Sequence, residues 1–383
     1  MPSRRNFFKA GAFAAGAGLL GAKDAEAQAP RSFSGAKSFA ANETTKPWTK
    51  PQKPGPAISI DIHTHWAPPA YLKAKADLGR PDFLDAINAD LPRRVKLMAE
   101  GGVQTNVLTL GGFRPWQWVT PDQGAHIARV TNDAALEAHA AYPKNFLAGI
   151  EVNCSDPVGS LAELNRMAGK PGMVVLHLPT SLGGRDFLYD AAFEPILARC
   201  NELQLPIWLH PLDGQPNWFG GMRLADQASG VPAGADFNSN AFRFPGLTNS
   251  LGNSLEIGLT ISKIIASGLL DKYENLTFMV VQGGGAMPYA AGRLENRSGR
   301  LKKPLGYYLR RFYYDSLVYY PESLRYLAEM VGSDRIMLGT DNMYGPGDNQ
   351  LTNQPHSVID QAGFNDEDRD LILRGNLKRL FKI

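Results

Sequence analysis

From residue 58 to the C-terminus, short apolar runs alternate with stretches of helical periodicity. The runs at 58–63, 105–110, 146–152, 173–178, 206–210, 277–282, 312–317 and 335–340 have the length and composition of strands. Between them, residues 91–100, 122–141, 156–168, 191–203 and 321–331 place apolar side chains on one face of a helix. Strand–helix alternation of this kind predicts a parallel sheet, and eight strands predict its closure into a (β/α)8 TIM barrel over residues 58–383. One connection breaks the rhythm. Residues 212–250, after the fifth strand, are rich in Gly, Asn, Pro and aromatics and have little periodicity. Loops of this length are uncommon and are usually functional or disordered. It leaves from the C-terminal rim, where barrel active sites lie. Trp218, Phe219, Arg223, Phe242 and Arg243 equip it to cover an aromatic or anionic ligand.

The first residues have a different character. Ser3-Arg4-Arg5-Asn6-Phe7-Phe8-Lys9 is followed by a Gly/Ala-rich apolar stretch and then by Ala25-Glu26-Ala27 and Ala27-Gln28-Ala29. Basic, apolar and A-x-A segments in this order predict a cleavable signal over residues 1–29, and the Arg pair resembles a twin-arginine signal. Export to the periplasm by the twin-arginine machinery is the expectation. Gly16-Ala17-Gly18-Leu19-Leu20-Gly21 formally matches a dinucleotide fingerprint, but no strand precedes it. Residues 30–57, rich in Ser, Thr, Lys and Pro, read as a flexible arm.

Composition narrows the function classes. The 383 residues are 44% hydrophobic and 20% charged, a globular balance. Net charge is +3 and no basic block occurs, so nucleic acid is not an expected partner. No apolar run reaches the roughly 20 residues that span a bilayer, so no stable membrane anchor is expected. The only cysteines, Cys154 and Cys200, exclude a disulfide framework or a Cys-rich zinc module and read as packing residues.

The chemistry lies in the histidines. In Asp61-Ile62-His63-Thr64-His65, alternation along a strand turns both imidazoles to one face. Leu209-His210-Pro211 ends the fifth strand and Leu338-Gly339-Thr340-Asp341 the eighth. Three imidazoles and a carboxylate at one end of a barrel form a metal site. The expected cofactor is one divalent ion, zinc first and manganese second, held by His63, His65, His210 and Asp341. The carboxylate can also exchange protons with a metal-bound water.

These residues, with Thr131-Asn132-Asp133, Tyr142-Pro143-Lys144-Asn145-Phe146, Gly283-Gly284-Gly285-Ala286-Met287-Pro288-Tyr289 and Gly375-Asn376-Leu377-Lys378-Arg379-Leu380-Phe381, carry a resemblance. The chain is similar to the amidohydrolase superfamily, within it to the group of aminocarboxymuconate-semialdehyde and resorcylate-type decarboxylases. The resemblance implies a metal-dependent barrel that decarboxylates, hydrolyses or hydrates a small aromatic or unsaturated carboxylic acid. It assigns the same four metal ligands. It also exposes a departure: relatives carry His before the triple glycine, where this chain has Gln282. An amide orients water but neither accepts nor gives a proton near neutral pH.

His177, ending the fourth strand, is a candidate to take over that proton transfer if it faces the lumen; a helix-facing or rim position is the alternative. Catalytic candidates are thus Asp341, His177 and Gln282. Arg114 and Trp116 after the second strand, Trp218 in the long loop and Arg293 are candidates for binding a small carboxylate substrate, Arg293 having a salt bridge as its alternative. His126 and His139 are expected to be solvated on a helix, and His356 to lie at the surface. Two functions follow: an exported metal-dependent lyase or hydrolase, and a binding or accessory protein on a decayed scaffold, which Gln282 favours. A serine hydrolase lacks its G-x-S-x-G. The sequence leaves the oligomeric state open, a homodimer included.

Overall fold

Eight strands follow one another around the sheet in chain order, each paired in parallel with the next. They are β1 (Ser59–His65), β2 (Val103–Thr109), β3 (Phe146–Glu151), β4 (Met173–Pro179), β5 (Ile207–His210), β6 (Phe278–Val280), β7 (Phe312–Asp315) and β8 (Ile336–Met337). This is the (β/α)8 barrel. The computed structural model describes residues 58–79, 89–112, 114–182, 186–212, 248–297, 301–342 and 354–383. The predicted signal and arm, and Trp218, Phe219, Arg223, Phe242 and Arg243 of the loop after β5, lie outside the described residues.

Every residue of β1, β3, β5, β6 and β7 is buried. Parallel strands are covered on both faces, which is why they read as continuous apolar runs. The helices do the covering. The longest among the described residues, α1 (Pro121–Ala141), starts with Pro at its first turn and a capping box in which Thr120 and Gln123 satisfy each other's backbone N–H. Its buried stripe of Ile127, Ala128, Thr131, Asn132, Ala135 and Ala138 recurs every three to four residues and faces the sheet.

Two strands are shorter than predicted, and the backbone explains both. After Met337 the chain leaves the ladder, because Leu338 N donates to Ile372 O at 2.9 Å. After Val280 it turns away through Gln282, Gly283, Gly284 and Gly285, all at positive φ. Closure between β8 and β1 therefore rests on other bonds. Ile62 N donates to Leu338 O at 3.1 Å and His65 N to Asn342 O at 2.9 Å. A buried carboxylate latches the seam: Asp61 accepts the Thr340 hydroxyl at 2.6 Å, Thr340 N at 3.2 Å and His63 N at 3.1 Å. Burial pushes the Asp61 pKa up to about 7 despite these donors.

Candidate metal centre and a second buried pair

His63, His65, His210 and Asp341 each offer a ligand atom, and the four atoms lie within 4.8 Å of one another. The local structure orients each donor. His63 Nδ1 is held by Asp315 Oδ2 at 2.6 Å, which leaves Nε2 facing Asp341 Oδ1 at 3.3 Å. His210 Nδ1 donates to Pro211 O at 2.6 Å, fixing that ring's tautomer as well. His65 Nε2 lies 2.8 Å from Asp341 Oδ1. Its ring has room because residue 111 is glycine at φ +58°; a Cβ there would sit 2.1 Å from His65 Nδ1. The backbone behind His65 is gripped by buried Arg94, whose Nη2 donates to His65 O at 2.6 Å. Asp341 is presented by an unusual backbone, φ +59°, and is one-third exposed.

The electrostatics agree with a cation site. Burial works against the charged form of His63, but Asp341 and Asp315 outweigh it and raise its pKa to about 10. The cleft works against charge on Asp341 too, yet His63 and His65 hold it well below the usual carboxylate range. Three imidazole nitrogens and one carboxylate oxygen, with Nδ1 of His63 and of His210 anchored, fit a divalent ion of borderline hardness.

A second cluster lines the same lumen. His177 is buried, its ring 6.3 Å from that of His210. The structure thus settles its orientation: it faces inward. Its Nδ1 meets Glu151 Oε1 at 2.6 Å. Glu151 in turn accepts from Leu110 N at 2.9 Å, and its backbone is clamped by Asn132, which accepts from Glu151 N at 2.8 Å and donates to Glu151 O at 2.9 Å. Asn132 of the Thr-Asn-Asp motif therefore serves the end of β3. Burial raises the Glu151 pKa to about 7 against the pull of Arg114. Burial, with Arg114, His65 and His63 nearby, holds His177 well below the ordinary imidazole value. Arg114 is buried and its Nη2 donates to His210 O at 2.9 Å.

Of the other predicted residues, His356 and His139 lie elsewhere than expected. Gln282 Oε1 accepts the Ser254 hydroxyl at 3.2 Å. With Tyr289 and Tyr326 it lines a cavity of about 320 Å³ whose walls include none of the four ligands. The positive φ of Gln282 begins the turn around Asp315, whose Oδ1 accepts Gly283 N at 2.8 Å. Trp116 is fully buried, as Arg114 beside it is. Arg293 is exposed on helix α2 (Met287–Arg297) and forms no ion pair among the described residues. His356 is not at the surface: it is buried, its Nε2 2.9 Å from Ser59 Oγ, and burial lowers its pKa to about 4. His126 is exposed as expected, whereas His139 is half-buried, with Nδ1 2.7 Å from Phe146 O. Cys154 and Cys200 are buried and unbridged.

Asp315 and Glu151 were missed in the sequence. Both end apolar strands, the same signal that singled out Asp341.

The family model described as Amidohydrolase matches residues 60–383. Decarboxylase orsB of Emericella nidulans is 27% identical over 225 residues, 57% of this chain and 61% of that protein, so the chain spans less than two thirds of its length. Gamma-resorcylate decarboxylase of a Rhizobium species is 25% identical over 250 residues, 62% of this chain and 70% of that protein. A solved dihydroxybenzoic acid decarboxylase from a Polaromonas species, with bound manganese and an inhibitor, has a TM-score of 0.64 at 22% identity, covering 85% of this chain and 96% of its own.

Proposed function

Because the chain belongs to the amidohydrolase family, we propose that it is a metal-dependent carboxy-lyase for a small aromatic or unsaturated carboxylic acid, exported by the twin-arginine machinery to the periplasm. The convergence of His63, His65, His210 and Asp341 on one point carries this reading. Decarboxylases among its relatives favour loss of CO2 over hydrolysis. Zinc is the proposed ion, with manganese, present in the Polaromonas structure, as the alternative. When bound, a divalent ion would polarise the substrate's carboxylate or a neighbouring oxygen.

The chain's own residues have two tasks. The carboxylate is assigned to Arg114, and its burial beside His210 with Nε and Nη1 unpartnered supports this. The carbon that loses CO2 must take a proton, and Asp341 and His177 are the groups able to move one. An amide such as that of Gln282 does not move a proton near neutral pH. Trp218 is the proposed cover of the site.

The test is release of labelled CO2 from carboxyl-¹³C hydroxybenzoic acids, on protein whose metal content has been measured. Turnover with about one ion per chain supports the reading. Tight binding of these acids without turnover favours the decayed binding protein, the reading that Gln282 supports. For export, Arg4→Lys with Arg5→Lys should hold precursor inside the cell; normal delivery of that double variant ends the twin-arginine proposal.

A further inference from the structure

Glu151 and His177 stand side by side in the register of β3 and β4. Neighbours in parallel register leave the sheet on the same face, and the 6.3 Å approach of His177 to His210 makes that face the lumen. Glu151 Oε1 is fixed from two sides, by Leu110 N at 2.9 Å and by His177 Nδ1 at 2.6 Å. Because Oε1 already accepts the Leu110 N–H, it meets Nδ1 as an acceptor, a proton on Glu151 belonging to Oε2, and the imidazole proton lies on Nδ1, since two acceptors do not bond. His177 Nε2 is then a lone pair. It is buried and has no hydrogen-bond partner among the described residues. Glu151 Oε2, Arg114 Nε and Arg114 Nη1 are in the same condition. Buried polar groups are normally paired, and one without a partner costs stability. The three on His177 and Arg114, on β4 and the turn after β2, mark a place built to meet polar groups of a ligand.

We propose that Glu151 is a positioning residue that keeps the proton of His177 on Nδ1, so that Nε2 meets the substrate as a proton acceptor. This rests on the carboxy-lyase reading above. The step balances for an acid that carries a hydroxyl group. Nε2 takes the hydroxyl proton and leaves an oxyanion, while the imidazolium is neutralised by the Glu151 carboxylate. The same proton passes from Nε2 to the carbon bearing the carboxylate. The bond to the carboxylate carbon breaks, its electron pair stays with the substrate, CO2 leaves and Nε2 is a lone pair again. The oxyanion regains a proton from water. Glu151 acts in this scheme through Oε1, which bonds His177 Nδ1 and the backbone N–H of residue 110.

The deciding measurement is the tautomer of His177, read from ¹⁵N shifts of histidine-labelled full-length protein and assigned with His177→Gln. The wild type should show the Nδ1–H form. Glu151→Ala should move the proton to Nε2 or to a mixture, with metal content unchanged and kcat reduced about 10²-fold. Glu151→Gln retains the shape and an oxygen for Nδ1–H, but it cannot neutralise the imidazolium. It should keep the tautomer and metal and lose kcat with KM nearly unchanged. An Nε2–H wild type, or a Glu151→Ala variant with the wild-type tautomer, overturns the proposal. If Glu151→Ala does not fold, Glu151→Gln decides, and wild-type kcat there overturns it. Should the wild type decarboxylate none of the acids, the carboxy-lyase reading falls, whereas the tautomer still decides whether Glu151 positions His177.

Discussion

His63 and His177 invite comparison because their Nδ1 environments are nearly the same. Each is buried in the barrel lumen with a carboxylate 2.6 Å from Nδ1, Asp315 for one and Glu151 for the other. Yet the pKa of His63 rises to about 10 and that of His177 falls well below its ordinary value. The second nitrogen makes the difference. His63 Nε2 looks toward Asp341 at 3.3 Å, whereas His177 shares its space with Arg114, His65 and His63. A carboxylate behind an imidazole sets its orientation and tautomer; what lies in front sets its charge. The β8–β1 side with β5 is thus arranged around a cation, and the β3–β4 side around a neutral base.

The sharpest way to break this comparison is to make the same change in both. His63→Gln should abolish stoichiometric metal binding and all turnover. His177→Gln should leave metal content at wild-type level and reduce kcat about 10²–10⁴-fold. Equal metal loss in both, read by elemental analysis after gel filtration, would merge the two sides into one site.

The carboxylates behind the rings give the next largest contrast. Asp315→Asn should weaken metal affinity about 10–100-fold, as loss of a ligand's outer partner does. Glu151→Gln should leave that affinity unchanged. Competition with a chelator measures both. A Glu151→Gln variant that loses metal as readily as Asp315→Asn would show that the β3–β4 pair supports the ligands.

The smallest effect is on stability against pH. With its pKa raised to about 7 in the fold from 4.5, Glu151 holds its proton more tightly folded than unfolded. Its contribution is therefore present below pH 4.5 and is lost as pH rises toward 7. His356 acts in the opposite sense, since its pKa is lowered to about 4 from 6.5, and it costs stability as pH falls through that window. Melting curves of Glu151→Gln should lose the first trend by a few degrees and keep the second. A parent-like pH dependence in that variant would remove the protonation assigned to Glu151.

The two sides also differ in how far they could be read beforehand. Alternating apolar runs gave all eight strands, and the metal ligands stood out because His-x-His, a strand-ending His and a strand-ending Asp are rare types in apolar surroundings. His177 had the same signature, but which face of β4 it takes depends on the register with β3 and β5, which local pattern does not contain. Glu151 and Asp315 were hidden because a carboxylate ending a strand is equally at home in solvent until its partner is known. His356 went the other way: its place near Pro355 in the C-terminal region suggested the surface, and long-range packing against Ser59 buries it. Gln282 was noticed as a departure, but the positive φ that it shares with the three glycines after it has no local signature in its own residue type.

The Asp61–Thr340 latch reaches across 279 residues of chain, and the cation site straddles the seam it holds shut. Contacts of such sequence separation are the last to repay their entropy, and folding slows as they accumulate. His63 and His65 lie on the first strand, while Asp341 comes from the last, so a nascent or partly opened chain possesses only fragments of the site. Loading with metal is therefore a reporter of completed folding. Any mutation that loosens the latch should register as faster metal exchange before it registers as lost secondary structure, because the seam opens locally at lower free energy than the whole barrel.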